Sequence, residues 1–92
     1  MVNILVDRLD KDLFLVKVLE NDSETNHKVK VSDKNLEDLT HNKINKKELI
    51  KLSFEFLLKR ESKESILAEF DIIVISTYFP EYKNELKNIL EY

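Results

Sequence analysis

The chain has no glycine, no cysteine and no tryptophan, and its 92 residues include a single proline, Pro80. Each absence removes a class of chemistry. Without glycine there is no phosphate-cradling loop of the kind found in P-loop enzymes, Rossmann folds and kinases, where the backbone must come close to the phosphate oxygens. Without cysteine there are no disulfides, no thiolate nucleophile and no Cys-based zinc or iron–sulfur site, a composition that a reducing compartment permits. No apolar run approaches the ~20 residues of a membrane span. The first ten residues, MVNILVDRLD, carry acidic groups where a secretory leader needs a basic start and a long apolar stretch. Positive charge is in short supply as well. Fifteen Lys and Arg against eighteen Asp and Glu give a net charge of −3, whereas a strong nucleic-acid binder draws most of its affinity from a basic surplus. The expectation is a cytoplasmic protein with no cofactor and no membrane association.

What is present is a chain 42% hydrophobic and 36% charged, enough for one domain over residues 1–92 and no second core. A chain of this size buries only roughly 60–65% of its unfolded surface, so its stability is modest and an oligomer would help it. The abundance of Lys, Asn and Ile fits the codon bias of an AT-rich genome and carries no functional meaning. Most of the large apolar residues fall between Leu49 and Tyr82, which locates the core without supplying a residue that obviously performs chemistry.

The first third alternates with a period of two. Val2, Ile4 and Val6 make one strand face. After the polar turn Asp10-Lys11-Asp12, Leu13 to Leu19 is apolar on both faces, as a central strand would be. Asn21-Asp22-Ser23-Glu24 is a loop of turn formers that do not require glycine. Thr25 to Val31 alternates again, with Lys28 and Lys30 outward as on an exposed or edge strand. A three-stranded antiparallel meander over about residues 2–31 is expected.

At Ser32 the period changes. Ser32 can cap a helix over Asp33 to Thr40, and Asn45 with Glu48 resembles a capping box opening a helix that runs to about Lys59. Lys47, Lys51, Glu55 and Lys59 form its polar stripe, and the remaining apolar arc is wide enough to touch the sheet on one side and other helices on the other. Ser62 can cap a further helix containing Ile66, Leu67 and Phe70. Asp71 can cap one over Ile72 to Phe79, although the β-branched Ile72 to Ile75 would also pass for a buried strand. Pro80 suits the first position of a last helix, Pro80 to Tyr92, with Tyr82, Leu86, Ile89 and Leu90 inward. The fold class is therefore α+β, the meander followed by four to five helices packed on it.

The segments SFEFLLKRESKESIL, FDIIVIS and YFPEY resemble a pattern recurring in small prokaryotic proteins with no assigned function. There a strand meander precedes a helix reading roughly SFEFLL-RE, followed by KESIL and an FD-VIS-YFPEY block. The resemblance covers Ser53 to Tyr82 well and the preceding strands loosely. It implies an α+β fold and a helical Ile72 to Tyr78, and it carries over no catalytic residue. The pattern often has Pro where Ser62 stands and a Gly pair near His41-Asn42, departures that affect caps and turns.

Several residue groups are candidate sites. His27 and His41 would need each other and carboxylates such as Asp38 to hold a metal; a strand-face histidine and a loop histidine explain them more simply, and no metal site is expected. Ser53, Ser62, Ser65 and Ser76 lie outside any nucleophile elbow. Glu61, Glu64, Glu69, Asp71 and Glu81 could furnish an acid–base pair, but so many carboxylates produce such pairs by chance. No catalytic residue is assigned and an enzyme is not expected. Lys43, Lys46, Lys47 and Lys51 form the best basic patch, at a helix N-terminus where lysines oppose the macrodipole, with Glu48 inside it and no aromatic residue interleaved to stack on bases. Tyr78, Phe79 and Tyr82 cluster around Pro80, and aromatic side chains with polar tips favour interfaces as well as cores. The functional expectation is a non-enzymatic protein-interaction module, with a protein partner or a second copy of itself at Tyr78, Phe79 and Tyr82. The alternative is weak nucleic-acid binding or regulation through Lys43, Lys46, Lys47 and Lys51.

Overall fold

The computed structural model describes residues 2–92. These form a four-stranded sheet and four α-helices, in the order β1 (Val2–Arg8), β2 (Leu13–Glu20), β3 (Ser23–Lys30), α1 (Asp33–Thr40), α2 (Lys46–Leu58), β4 (Glu69–Asp71), α3 (Val74–Tyr78) and α4 (Tyr82–Leu90), with a 3₁₀ turn at Lys63–Ser65 before β4. The α+β class is as expected. The meander is also there: β1 pairs with β2 from Val2↔Glu20 to Arg8↔Phe14, and β2 with β3 from Leu13↔Lys30 to Glu20↔Ser23, both antiparallel. The loop after β2 shrinks to Asn21-Asp22, because Asn21 takes the left-handed region (φ 56°) that tight hairpins need and that asparagine tolerates best after glycine.

The sheet is mixed rather than purely antiparallel. Glu69–Asp71 lies parallel to β3, Lys28↔Glu69 through Lys30↔Asp71, giving the order β1-β2-β3-β4. This displaces three expectations. Thr25–Val31 is not an edge along Lys28–Lys30, where β4 pairs with it, although Lys28 and Lys30 are exposed on a sheet face as expected. The helix capped by Ser62 is only the Lys63–Ser65 turn, because Phe70 is drawn onto the sheet opposite Val29, on its inner face and 6.1 Å from Phe54 between ring centroids. The helix over Ile72–Phe79 is shorter. Ile72 still follows the ladder, its N–H donating to the Lys30 carbonyl at 2.9 Å, and Asp71 Oδ1 accepts from the Ile73 N–H at 3.1 Å, so helix begins only at Val74. The sheet holds Ile72 through its N–H, Ile73 makes the turn, and the helix takes Val74 and Ile75.

The helix starts are set by side chains named in the sequence. Ser32 Oγ accepts from the Asn35 N–H at 3.1 Å. Asn45 Oδ1 accepts from the Glu48 N–H at 2.8 Å while Glu48 Oε1 accepts from the Asn45 N–H at 3.1 Å, a complete capping box on α2. Proline stands before the last helix, not inside it: Phe79 is extended, as a residue preceding proline prefers, and α4 opens at Tyr82.

Phe14, Val16, Val18 and Val29 on the inner face of the sheet meet Leu49, Ile50, Phe54 and Leu57 of α2 in one core, closed by Leu39, Ile72, Tyr82 and Leu86. Each such side chain stabilises the fold by roughly 1.5–3 kcal/mol relative to exposure. Ile89, expected inward, is exposed; the α4 face that packs is carried by Tyr82 and Leu86. On the outer face of β2, Leu13, Leu15, Lys17 and Leu19 stay half-buried. No helix among the described residues is long and apolar enough to cross a membrane.

Candidate functional site

The three aromatics around Pro80 are pulled apart. Tyr82 opens α4 and is fully buried (0% exposed), whereas Tyr78, in the last turn of α3, is 64% exposed. They share no side, because the extended Phe79 breaks the run between the two helices. Tyr82 is a core residue and leaves the candidate partner surface. Its hydroxyl donates to Ser53 Oγ at 2.6 Å, since Ser53 Oγ in turn donates to the Leu49 carbonyl at 2.7 Å. Burial pushes the Tyr82 phenol well above its ordinary range, outweighing the opposing pull of the Ser53 hydrogen bond. Phe79 is half-buried and stands edge-on to Phe56 at 5.8 Å, while Phe56 packs on Tyr82 at 5.3 Å.

Tyr78 and Phe79 flank an open apolar cleft of about 260 Å³. Leu57 from α2 and Val74 and Ile75 from α3 form its inner wall. The segment leading into β4 supplies the other wall through Ile66, Leu67 and Phe70, with Glu61 and Ser65 also lining it. Leu67 is 46% exposed at its lip. That wall is tied to β3 twice: the Ala68 carbonyl accepts from the Lys28 N–H at 2.8 Å, and the Leu67 carbonyl lies 2.8 Å from His27 Nδ1. A carbonyl can only accept, so His27 donates from Nδ1, while Nε2 meets the Thr25 hydroxyl at 2.9 Å. His27 is buried against Phe54 and acts as a clamp on the cleft wall. His41, by contrast, caps α1 in the left-handed region and stacks on Tyr92 at 3.9 Å.

Ile66, Leu67 and Phe70 are the cleft residues that the sequence reading placed inside a helix. The available signal was the register of β3. It sets His27 on the buried face beside Val29, where its ring nitrogens need polar partners, one of them the Leu67 carbonyl. No family model, curated protein or solved structure matches this chain. The cleft is therefore read from its own chemistry.

The remaining candidates are dispersed. Lys46 is buried, with Nζ 2.6 Å from Asp12 Oδ1 and 2.7 Å from Asp33 Oδ1; these hydrogen bonds raise its pKa and lower that of Asp33. It ties the β1–β2 turn to the starts of α1 and α2 and leaves the basic patch, in which Lys43, Lys47 and Lys51 remain exposed. Glu64 pairs with the buried Lys63 at 2.6 Å, Glu81 with Arg60 at 3.2 Å, and Asp71 accepts from Asn35 Nδ2 at 3.2 Å. Arg60 also lies 3.6 Å over the Phe56 ring. These carboxylates serve separate local contacts, while Glu61 faces the cleft. Ser62 and Ser65 hydrogen-bond to each other at 3.1 Å across the 3₁₀ turn, and Ser76 Oγ donates to the Ile73 carbonyl at 2.7 Å.

Proposed function

We propose that the protein is a non-enzymatic interaction module working in the cytoplasm, and that its docking site is the cleft beside Tyr78 and Phe79. The observation that carries this reading is an open apolar cleft of about 260 Å³ with Tyr78 and Leu67 exposed at its mouth. Exposed apolar groups around a formed cavity favour a partner that buries them. The occupant is an apolar side chain of leucine or phenylalanine size on another polypeptide. A neighbouring cation on that partner would meet Glu61, because the cleft has one carboxylate and no basic residue in its lining.

A peptide library displayed against the immobilised protein tests this. Enriched sequences should carry one apolar anchor next to Lys or Arg, and Leu67→Asp plus Tyr78→Asp should weaken them about ten-fold or more, equivalent to ~1.4 kcal/mol, with an unchanged melting temperature. Peptides that bind both proteins equally, or lack an apolar anchor, would remove the cleft from the function. Self-association through the same cleft would appear as a dimer lost in that variant.

The alternative, weak nucleic-acid binding, rests on fewer residues than the sequence suggested, since Lys46 is engaged by Asp12 and Asp33. Salt-sensitive retention on an oligonucleotide, abolished by Lys47→Glu plus Lys51→Glu, would favour it.

A further inference from the structure

β1 leaves a usable edge, and the sequence of hydrogen bonds identifies which of its groups are unpaired. The Leu9 N–H donates to the Leu13 carbonyl at 2.8 Å in the same register as the β1–β2 ladder. Hydrogen-bonded pairs alternate along an antiparallel ladder. Asn3, Leu5 and Asp7 therefore direct their backbone groups at β2, and Val2, Ile4, Val6 and Arg8 direct theirs away from the sheet. The chain does not blunt this edge with proline, and its one inward-facing charge, Arg8 over the Phe14 ring, stands at the far end of the strand, leaving Val2 to Val6 without one.

A groove of about 580 Å³ runs along this edge, with Val2 to Leu5 as its floor and Lys51, Glu55 and Leu58 of α2, with its C-cap Lys59, as its wall. Lys47 lies toward the Arg8 end, so α2 runs antiparallel to β1 and presents Lys47, Lys51, Glu55 and Lys59 along its length. Three cations stand against Glu55 and, in the first turn, Glu48, whose Oε1 is held by the Asn45 N–H. On the other side of the strand Leu5 is 48% exposed. The groove therefore offers backbone donors and acceptors, a basic wall above them and an apolar neighbour below.

A second copy fits poorly. Edge-to-edge pairing would set two β1 strands about 4.8 Å apart. Each α2 packs over its own β1, and two helices need roughly 8–10 Å between axes. The two lysine-rich stripes would also face one another. A lone extended segment has neither conflict.

We infer that the β1 edge is a strand-addition site for an extended acidic segment of another polypeptide, whose carboxylates alternate toward Lys47, Lys51 and Lys59 and whose apolar residues lie beside Leu5. The inference rests on the reading of the protein as an interaction module, but it uses the edge of the sheet opposite the cleft and does not depend on the cleft's occupant. Main-chain pairing supplies affinity in this mode, and alternate side chains supply selectivity.

The test uses the capped peptide TEVELEVET, with TKVKLKVKT as its charge-reversed control, on the full chain. With the acidic peptide, the Ile4, Val6 and Arg8 amides should gain hydrogen-exchange protection, while Leu5 and Asp7, already paired in the sheet, change little. Ile4→Pro removes a donor that the sheet does not use, and should abolish binding. Should that variant not fold, Lys51→Glu plus Lys59→Glu, confined to the exposed face of α2, should weaken the acidic peptide about ten-fold at low salt and strengthen the basic one. The proposal is overturned by failure of the acidic peptide to bind at millimolar concentration. It is equally overturned by a wild-type dimer with these amides already protected, or by oligothymidylate binding more tightly than the peptide with the same lysine dependence. None of these results bears on peptides selected at the cleft, which respond to Leu67 and Tyr78.

Discussion

The Tyr82 hydroxyl lies 2.6 Å from Ser53 Oγ, with both side chains fully buried, and Ser53 Oγ passes the chain of donation on to the Leu49 carbonyl at 2.7 Å. The order of donation makes the two partners unequal. Tyr82→Phe leaves Ser53 still bonded to its own helix and should cost about 0.5–1.5 kcal/mol. Ser53→Ala strands the phenol in the core and should cost about 1–3 kcal/mol. Urea unfolding of the two single variants and the double variant should rank Ser53→Ala as the worse single change, with the double less damaging than the sum. Equal losses would mean the phenol has found another partner.

Tyr82 also sets an alkaline limit. Its folded pKa is raised by burial above the ordinary 10.0, so above that pH the unfolded chain loses the phenol proton before the folded one does. Stability must then fall as pH rises beyond about 10. Stopped-flow absorbance near 295 nm should show a phenolate component that appears only at the rate of unfolding, and Tyr82→Phe should delete it.

The Lys46 pairs make stability depend on pH at both extremes. Asp33 has a lowered pKa, so its contribution is present above the ordinary 3.8 and is lost as pH falls through its folded value. Lys46 has a raised pKa, so its contribution is present below 10.5 and is lost as pH rises through its folded value. Lys46→Met should flatten the stability profile at both ends, as measured by urea midpoints across pH. A variant profile parallel to the wild type would assign the dependence elsewhere.

The legible parts of this fold are those fixed by neighbours in sequence. Ser32 and Asn45–Glu48 cap their helices through contacts within three residues, and the alternation of Phe14, Val16 and Val18 marks the buried face of a strand without reference to anything distant. What escaped is what a distant partner decides. Glu69–Asp71 is too short to show a period, and it becomes a strand only because Lys28 and Lys30 offer it a ladder. Ile72 is taken by that ladder while Val74 is free to turn helical. Lys46 looked like its neighbours Lys43 and Lys47 until Asp12, 34 positions earlier, reached it. The aromatic cluster divides for the same reason. Phe79 and Tyr78 flank a surface cleft, but the extended residue before Pro80 turns Tyr82 inward to a serine on another helix.

His27 links fold and cleft. Replacing it with Phe keeps the contact with Phe54 but leaves the Leu67 carbonyl without the imidazole donor, and should destabilise the protein by about 1–3 kcal/mol. The loss should be uneven. Hydrogen exchange should accelerate most at Lys28, whose N–H donates to the Ala68 carbonyl next to the released Leu67, and less at the β1–β2 amides. Uniform acceleration would show that His27 supports the whole sheet rather than the cleft wall.

The turn after α1 tests the cost of a chain without glycine. His41 and Asn42 occupy the left-handed region in succession, at φ 52° and 57°. L-residues there carry a steric penalty of roughly 1–2 kcal/mol, smaller for asparagine, that glycine lacks. Asn42 keeps its backbone N–H on Thr40 Oγ1 at 3.2 Å, a bond that glycine would retain. Asn42→Gly should therefore be stabilising, by up to about 1 kcal/mol once the added freedom of the unfolded chain is subtracted. His41→Gly relieves the same kind of strain but removes the ring stacked 3.9 Å from Tyr92, an interaction of roughly 0.5–1.5 kcal/mol. Its net effect should be near zero or destabilising. Thermal melts of the two variants should move apart, Asn42→Gly upward and His41→Gly not. If both rise equally, the His41–Tyr92 stack contributes nothing to holding the end of α4 against α1.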